Sequence, residues 1–236
     1  MIKKFKIKLF ADGCDFQNII NYNKKKFIKG FTTNPSLMRL SGVKNYEKFA
    51  KKILKIVKIK PISFEVFSDE LQEMYRQAKI ISSWGRNVYV KIPITNTKKV
   101  STNKIVYKLC NEGIKINITA IFTKKQLLKL YKSINKDSKI IISIFAGRIA
   151  DTGRDPKDII KYAIKLFNKF KNVEILWAST REIFNIIEAE KVGCNIITIT
   201  SDILKKINLI NHNLEKYSAA TVKDFYNDAL KSKFKI

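Results

Sequence analysis

The segment NVYVKIPIT (87–95) places a lysine, Lys91, inside a run of β-branched and aromatic residues. An unpaired ammonium is costly to bury. An edge strand, or a side chain that runs along its aliphatic stem to water, would account for it without chemistry. A lysine held among apolar walls and other cations is instead driven toward the free amine, which attacks carbonyls and forms a Schiff base. That imine is an electron sink for breaking or making the adjacent carbon–carbon bond. Such chemistry needs a group to move protons during imine formation and another to take a proton from the cleaved hydroxyl. Glu65, inside FEVF, and Asp12, in LFAD, are carboxylates available for those tasks. A plain ion pair with Lys91 is the alternative reading of Glu65.

The elements that would position these groups alternate regularly. β-rich runs occur at 6–12, 27–33, 62–68, 87–94, 115–122, 139–147, 173–179 and 194–200, with helical patterns between them. In DELQEMYRQAKIISSWG, Leu71, Met74, Ala78 and Ile81 share a face, Asp69 and Glu70 occupy the first turn and Gly85 is the expected C-cap. Pro156 opens the helix that carries Ile159, Ile160, Ala163, Leu166 and Phe167. Residues 42–60 read as part of a long second helix, and SDILKKI and TVKDFYNDALKSKF as two helices after the last strand. Eight such units predict an α/β fold, a (β/α)8 barrel, as one domain over 1–236. An open doubly wound sheet is disfavoured because no glycine-rich turn follows the first strand.

In a (β/α)8 barrel the active site lies at the C-terminal ends of the strands. There the sequence places Asp12, Thr33, Asn34, Glu65, Lys91, Asn117, Thr119, Ser143, Arg148, Ser179 and Arg181, at least one polar group from each of the first seven strands. Strand alternation puts Asn117 with Thr119, and Tyr89 with Lys91, on common faces. Arg148 and Arg181, with Ser179, have the makings of a fork for a phosphate.

The runs KGFTTNPSLM (29–38), SFEV (63–66), VYVKIP (88–93), EGIKINITAIF (112–122), SIFAGRIAD (143–151) and WASTRE (177–182) resemble the successive motifs of the transaldolase family, in order and over essentially the whole chain. The resemblance implies a class I aldolase barrel with Lys91 as the imine-forming residue. By the same resemblance, Asp12 takes the proton from the donor's C4 hydroxyl, and Glu65 moves protons through a water held by Thr119. Thr33, Asn34, Asn117 and Ser143 are implied to bind the dihydroxyacetone unit, with Phe145 packed on the substrate and Arg148, Ser179 and Arg181 on its phosphate. The implied activity moves that unit from a ketose phosphate, fructose 6-phosphate or sedoheptulose 7-phosphate, to an aldose phosphate, with no metal or organic cofactor. The related fructose-6-phosphate aldolases release dihydroxyacetone and usually have glutamine where this chain has Glu65. Two stretches depart from the family pattern, Gly13-Cys14 after Asp12 and the longer, basic ITNTKKVSTNK (94–104); both are expected at the barrel mouth, where acceptors enter. Cys14 reads as a packed thiol or, beside Asp12, a redox-sensitive one.

The 236 residues are 45% hydrophobic, and 47 Lys+Arg against 20 Asp+Glu give a net charge of +27. The lysines are spread through nearly every segment and accompany abundant Ile and Asn. That reads as compositional drift rather than a nucleic-acid surface. There is no apolar run of membrane-spanning length, and the first residues lack the apolar stretch of a signal peptide. Cys14, Cys110 and Cys194 are far apart, and with the single His212 they form no zinc pattern, so reduced thiols in a cytoplasm are expected. The resemblance implies a homo-oligomer, rings of five paired into decamers. The apolar face Val222, Phe225, Tyr226 and Leu230 of 221–236 would then reach a neighbour or cap its own barrel.

Overall fold

All eight β-rich runs form strands, and parallel pairing closes them into a barrel in chain order. A computed structural model describes residues 5–233; the first four residues of the segment read for a leader, and 234–236 at the end of the expected C-terminal helix, lie outside the described residues. The strands are β1 (Lys8–Asp12), β2 (Ile28–Thr32), β3 (Ile62–Glu65) and β4 (Val88–Pro93). They continue with β5 (Ile116–Ile121), β6 (Ile140–Ile144), β7 (Val173–Trp177) and β8 (Ile196–Thr200). This is the (β/α)8, or TIM-barrel, architecture.

The helices between strands are α1 (Phe16–Asn23), α2 (Pro35–Leu40), α3 (Tyr46–Leu54), α4 (Leu71–Ser83), α5 (Asn103–Asn111) and α6 (Lys124–Tyr131). After β6 come α7 (Ala146–Ala150) and α8 (Lys157–Phe167), and after β7 comes α9 (Asn185–Val192). Beyond β8 lie α10 (Ser201–Leu204), a 3-10 turn and α11 (Leu214–Ser232). The single long helix expected through 42–60 is therefore two. Gly42 at φ +68° ends the first, and the Asn45 side chain accepts from Lys48 N to start the second. On α4, Met74, Ala78 and Ile81 are buried as expected, but Trp84 is the C-cap and Gly85 has no left-handed backbone. Pro156 sits at the N-cap of α8. The last helix starts at Leu214, seven residues earlier than the sequence pattern suggests.

Two cores result from strand alternation. The larger fills the layer between sheet and helices, with Ile28, Phe31, Phe64, Val90, Ile118, Ile142 and Trp177 facing outward from the strands. The smaller, Phe10, Ile141, Leu176, Ala178 and Ile196 with Tyr89 and Phe145, fills the barrel interior. Gly30 makes room for it: a Cβ there would lie 2.5 Å from the Phe10 ring. Among the described residues, no helix is long and apolar enough to cross a membrane. None of the α11 residues is buried.

Candidate active site

Above the apolar interior cluster, the same strands turn polar groups into one cavity of about 490 Å³. Asp12, Asn34, Glu65, Lys91, Thr119, Ser143, Phe145, Arg148, Ser179 and Arg181 all line it. The register explains the convergence: Glu65 pairs Lys91, and Lys91 pairs Asn117, on consecutive strands.

Lys91 is no edge-strand lysine. Its side chain is 8% exposed, with Nζ 3.0 Å from Glu65 Oε2. Nζ also donates to the Thr33 carbonyl at 3.1 Å. The ion pair considered as the plain reading of Glu65 is present, inside the cavity. Asp12, at the tip of β1, accepts from Thr32 Oγ1 at 2.7 Å. Burial pushes the Asp12 carboxyl above its ordinary range, while nearby Lys91 and the Thr32 hydrogen bond pull it down. The balance leaves Asp12 a better proton acceptor than a solvated aspartate.

Thr119 rides on a bulge. The β5–β6 register shifts between Ile118 and Ile121, and Ala120 takes φ +58°. The Thr119 Oγ1 is buried and has no hydrogen-bond partner among the described residues. A buried hydroxyl in that condition is an open position for a substrate group or water.

Two residues singled out from sequence sit elsewhere. Thr33 is fully buried and its hydroxyl donates to the Ser63 carbonyl at 2.8 Å, so its side chain does not line the cavity. Asn117 is also fully buried just beneath, where its amide donates to Ser63 Oγ at 3.0 Å and accepts from Ser143 Oγ at 2.7 Å. Both ends of that amide are occupied. Asn34 reaches the cavity while its Oδ1 caps α2, accepting from Leu37 N at 2.9 Å.

The cationic side of the cavity comes from α7 and the loop between β7 and α9, pressed together. Arg148 lies on α7, with its guanidinium 5.1 Å from the Phe145 ring centre. Ser179 takes φ +62° beyond β7, and a Cβ on Gly147 would lie 1.6 Å from its carbonyl oxygen. Only glycine permits that approach. Arg181 forms a two-pronged pair with Asp151, the residue that caps α7.

Several lining residues escaped the sequence reading: Thr32, Thr180, Thr198 and Thr200. Thr32 and Thr198 hydroxyls are hydrogen-bonded to each other, and Thr180 donates to the Thr198 carbonyl at 2.6 Å. β8 thus contributes to the site, and strand alternation in CNIITIT was the signal available for it. Segment 94–104 follows β4 but contributes no residue to the cavity lining. Thr97 N and Oγ1 each donate to the Asp69 carboxylate at 2.7 Å, and a Thr95–Ser101 bridge closes the loop. Cys14 is buried and its desolvated thiol is pushed up to about 12, as suits a packed cysteine.

The fold is shared with 3-hexulose-6-phosphate synthase from Salmonella typhimurium, at a TM-score of 0.57 and 12% identity over 84% of this chain and 91% of that one. Sequence likeness is much closer elsewhere. A protein of Methanococcus maripaludis (strain C5) named "Probable transaldolase" is 35% identical over 88% of this chain and 92% of its own length. Another of that name, from Thermoanaerobacter sp. (strain X514), is 33% identical over 98% of this chain and all of its own. The family model for transaldolase/fructose-6-phosphate aldolase matches residues 9–236, from the first strand to the last residue. The chain belongs to the transaldolase/fructose-6-phosphate aldolase family.

Proposed function

We propose that the protein is a transaldolase that carries a dihydroxyacetone unit on Lys91. The observation that carries this reading is the Lys91 amine in the cavity, 3.0 Å from Glu65 Oε2, with Asp12 in the same cavity. Lys91 Nζ attacks the C2 carbonyl of a ketose phosphate, and the carbinolamine loses water to give the imine. Glu65, with a water on Thr119 Oγ1, delivers and recovers the protons of that exchange. The C3–C4 bond then breaks, its electron pair moves into the imine to form an enamine, and the C4 hydroxyl proton passes to Asp12. The aldose phosphate leaves. An acceptor aldose phosphate takes its place, the enamine carbon bonds to its aldehyde carbon, and Asp12 returns the proton to the new hydroxyl. Hydrolysis of the imine restores Lys91.

Arg148, Ser179 and Arg181 grip the phosphate in this reading, and the family membership favours fructose 6-phosphate or sedoheptulose 7-phosphate as donor. Asn34 and Ser143 hold the hydroxyls of the three-carbon unit, and Phe145 packs on it. Asn117 orients Ser143 from beneath. Borohydride reduction in the presence of fructose 6-phosphate should leave a dihydroxyacetone-sized mass on Lys91. No adduct with any ketose phosphate would sink the Schiff-base reading.

The family also holds aldolases that release dihydroxyacetone, and Glu65 is the feature that favours transfer here. Steady release of free dihydroxyacetone without an acceptor would support the aldolase instead. Glu65→Gln should weaken transfer and shift the balance toward release; unchanged transfer kinetics would remove Glu65 from its assigned role.

The assembly belongs to the same reading. Val222, Phe225, Tyr226 and Leu230 of α11 are 63%, 70%, 64% and 59% exposed. Large apolar groups so arrayed favour packing against a neighbouring copy. A solution mass of one chain would overturn the oligomer.

A further inference from the structure

The β2–β3 ladder runs Phe31 N to Pro61 O at 2.9 Å and Thr33 N to Ser63 O at 3.2 Å. Its next rung would join residue 35 to the carbonyl of Glu65. Residue 35 is Pro35, which has no N–H to give and which starts α2 as the chain leaves the barrel. A carbonyl left unmatched there would sit on the residue whose carboxylate faces Lys91. The Tyr46 hydroxyl fills the position, donating to Glu65 O at 2.8 Å.

Tyr46 is well held for this. It is the first residue of α3 and is half-buried behind β3. Its ring meets Phe67 at 5.6 Å and Phe64 at 6.3 Å edge to face, and Trp84 at 5.7 Å. Burial raises its phenol well above the ordinary value, so it remains an O–H donor. The aromatic cluster therefore fixes a donor whose hydroxyl meets the Glu65 backbone carbonyl, with the Thr33 hydroxyl beside it.

We propose that Tyr46 is a positioning residue for Glu65: it replaces the strand hydrogen bond that Pro35 cannot make and so holds the carboxylate on the Lys91 amine. The inference rests on the Schiff-base reading of Lys91 and Glu65. Hydrogen-bonded partners that set a catalytic group within a fraction of an ångström act on turnover more than on substrate binding.

The test is a double-mutant cycle of Tyr46→Phe and Glu65→Gln, read by kcat and KM with fructose 6-phosphate and an aldose phosphate acceptor. Tyr46→Phe keeps the ring and its packing, and its thermal midpoint reports folding. It should lower kcat about tenfold and leave KM within about twofold. In the Glu65→Gln background the same change should cost less than about twofold, because the group it positions is already gone. Wild-type kcat in Tyr46→Phe, or an undiminished loss in the Glu65→Gln background, would overturn the proposal. Borohydride trapping on the wild-type protein separates this outcome from failure of the underlying reading. An adduct on Lys91 with an unaffected Tyr46→Phe rejects Tyr46 alone, whereas no adduct rejects both.

Discussion

On β1, Phe10 faces the barrel interior and Asp12 faces it one layer higher; β4 repeats this with Tyr89 and Lys91, and β6 with Ile141 and Ser143. The lower layer closes on itself, with Phe10, Ile141, Leu176 and Ile196 all buried. The upper layer leaves a cavity edged by carboxylates, an amine, hydroxyls and two guanidiniums. A step of two residues along the same strands thus separates a region that stabilises from a region that holds strain, a desolvated acid and an unsatisfied hydroxyl. The floor supplies the rigidity that lets the mouth keep groups which cost stability.

That division predicts effects of different kind. Lys91→Met keeps most of the side-chain volume and removes the amine, so transfer should fall on the order of 10⁴-fold or more while the protein stays folded. Retained turnover in a kinetic assay would move the chemistry off Lys91. Phe10→Ala, one layer below Asp12, should instead cost about 3–5 kcal/mol of stability through lost burial and a cavity, measured by denaturant unfolding. A loss under about 1 kcal/mol would mean the floor is not the closed core described.

Asp12→Asn should show both kinds at once. Transfer should fall roughly 10²-fold or more as the proton acceptor disappears. Stability should move the other way. The folded-state pKa of Asp12 is raised from 3.8, so the native protein holds this proton more tightly than the unfolded chain. Its stabilising effect is complete below 3.8 and is lost as pH rises through the raised value. Asparagine can still accept from Thr32, so the variant should be more stable than the parent at neutral pH, and the gap should close on acidification. A gap that widens at low pH would reverse the sign assigned to Asp12.

The smallest effect is expected at the rim. Arg181→Ala should raise KM for phosphorylated sugars about tenfold, the scale of a charge-assisted hydrogen bond, and leave unphosphorylated aldehyde acceptors unaffected. Equal weakening of both substrate kinds would place Arg181 in support of the loop through Asp151 rather than on phosphate.

The alternation of Ile-rich runs with amphipathic helices determined the barrel, because burial on both faces of a parallel strand demands β-branched runs at a period the eye can follow. The same alternation placed Lys91, Glu65 and Asp12 at strand ends, and resemblance to the family motifs suggested the roles proposed for them. Contacts between distant segments left no such trace. Tyr46 on Glu65, Arg181 on Asp151, Thr32 on Thr198 and Ser63 under Asn117 join positions 19, 30, 166 and 54 residues apart. Local pattern could not show that Thr33 turns to a neighbouring carbonyl, or that Gly42 and Asn45 divide one helical stretch into two. Periodicity along a chain reports which face a residue takes. Which partner waits on that face is decided only when the barrel closes and every buried polar group has to find one.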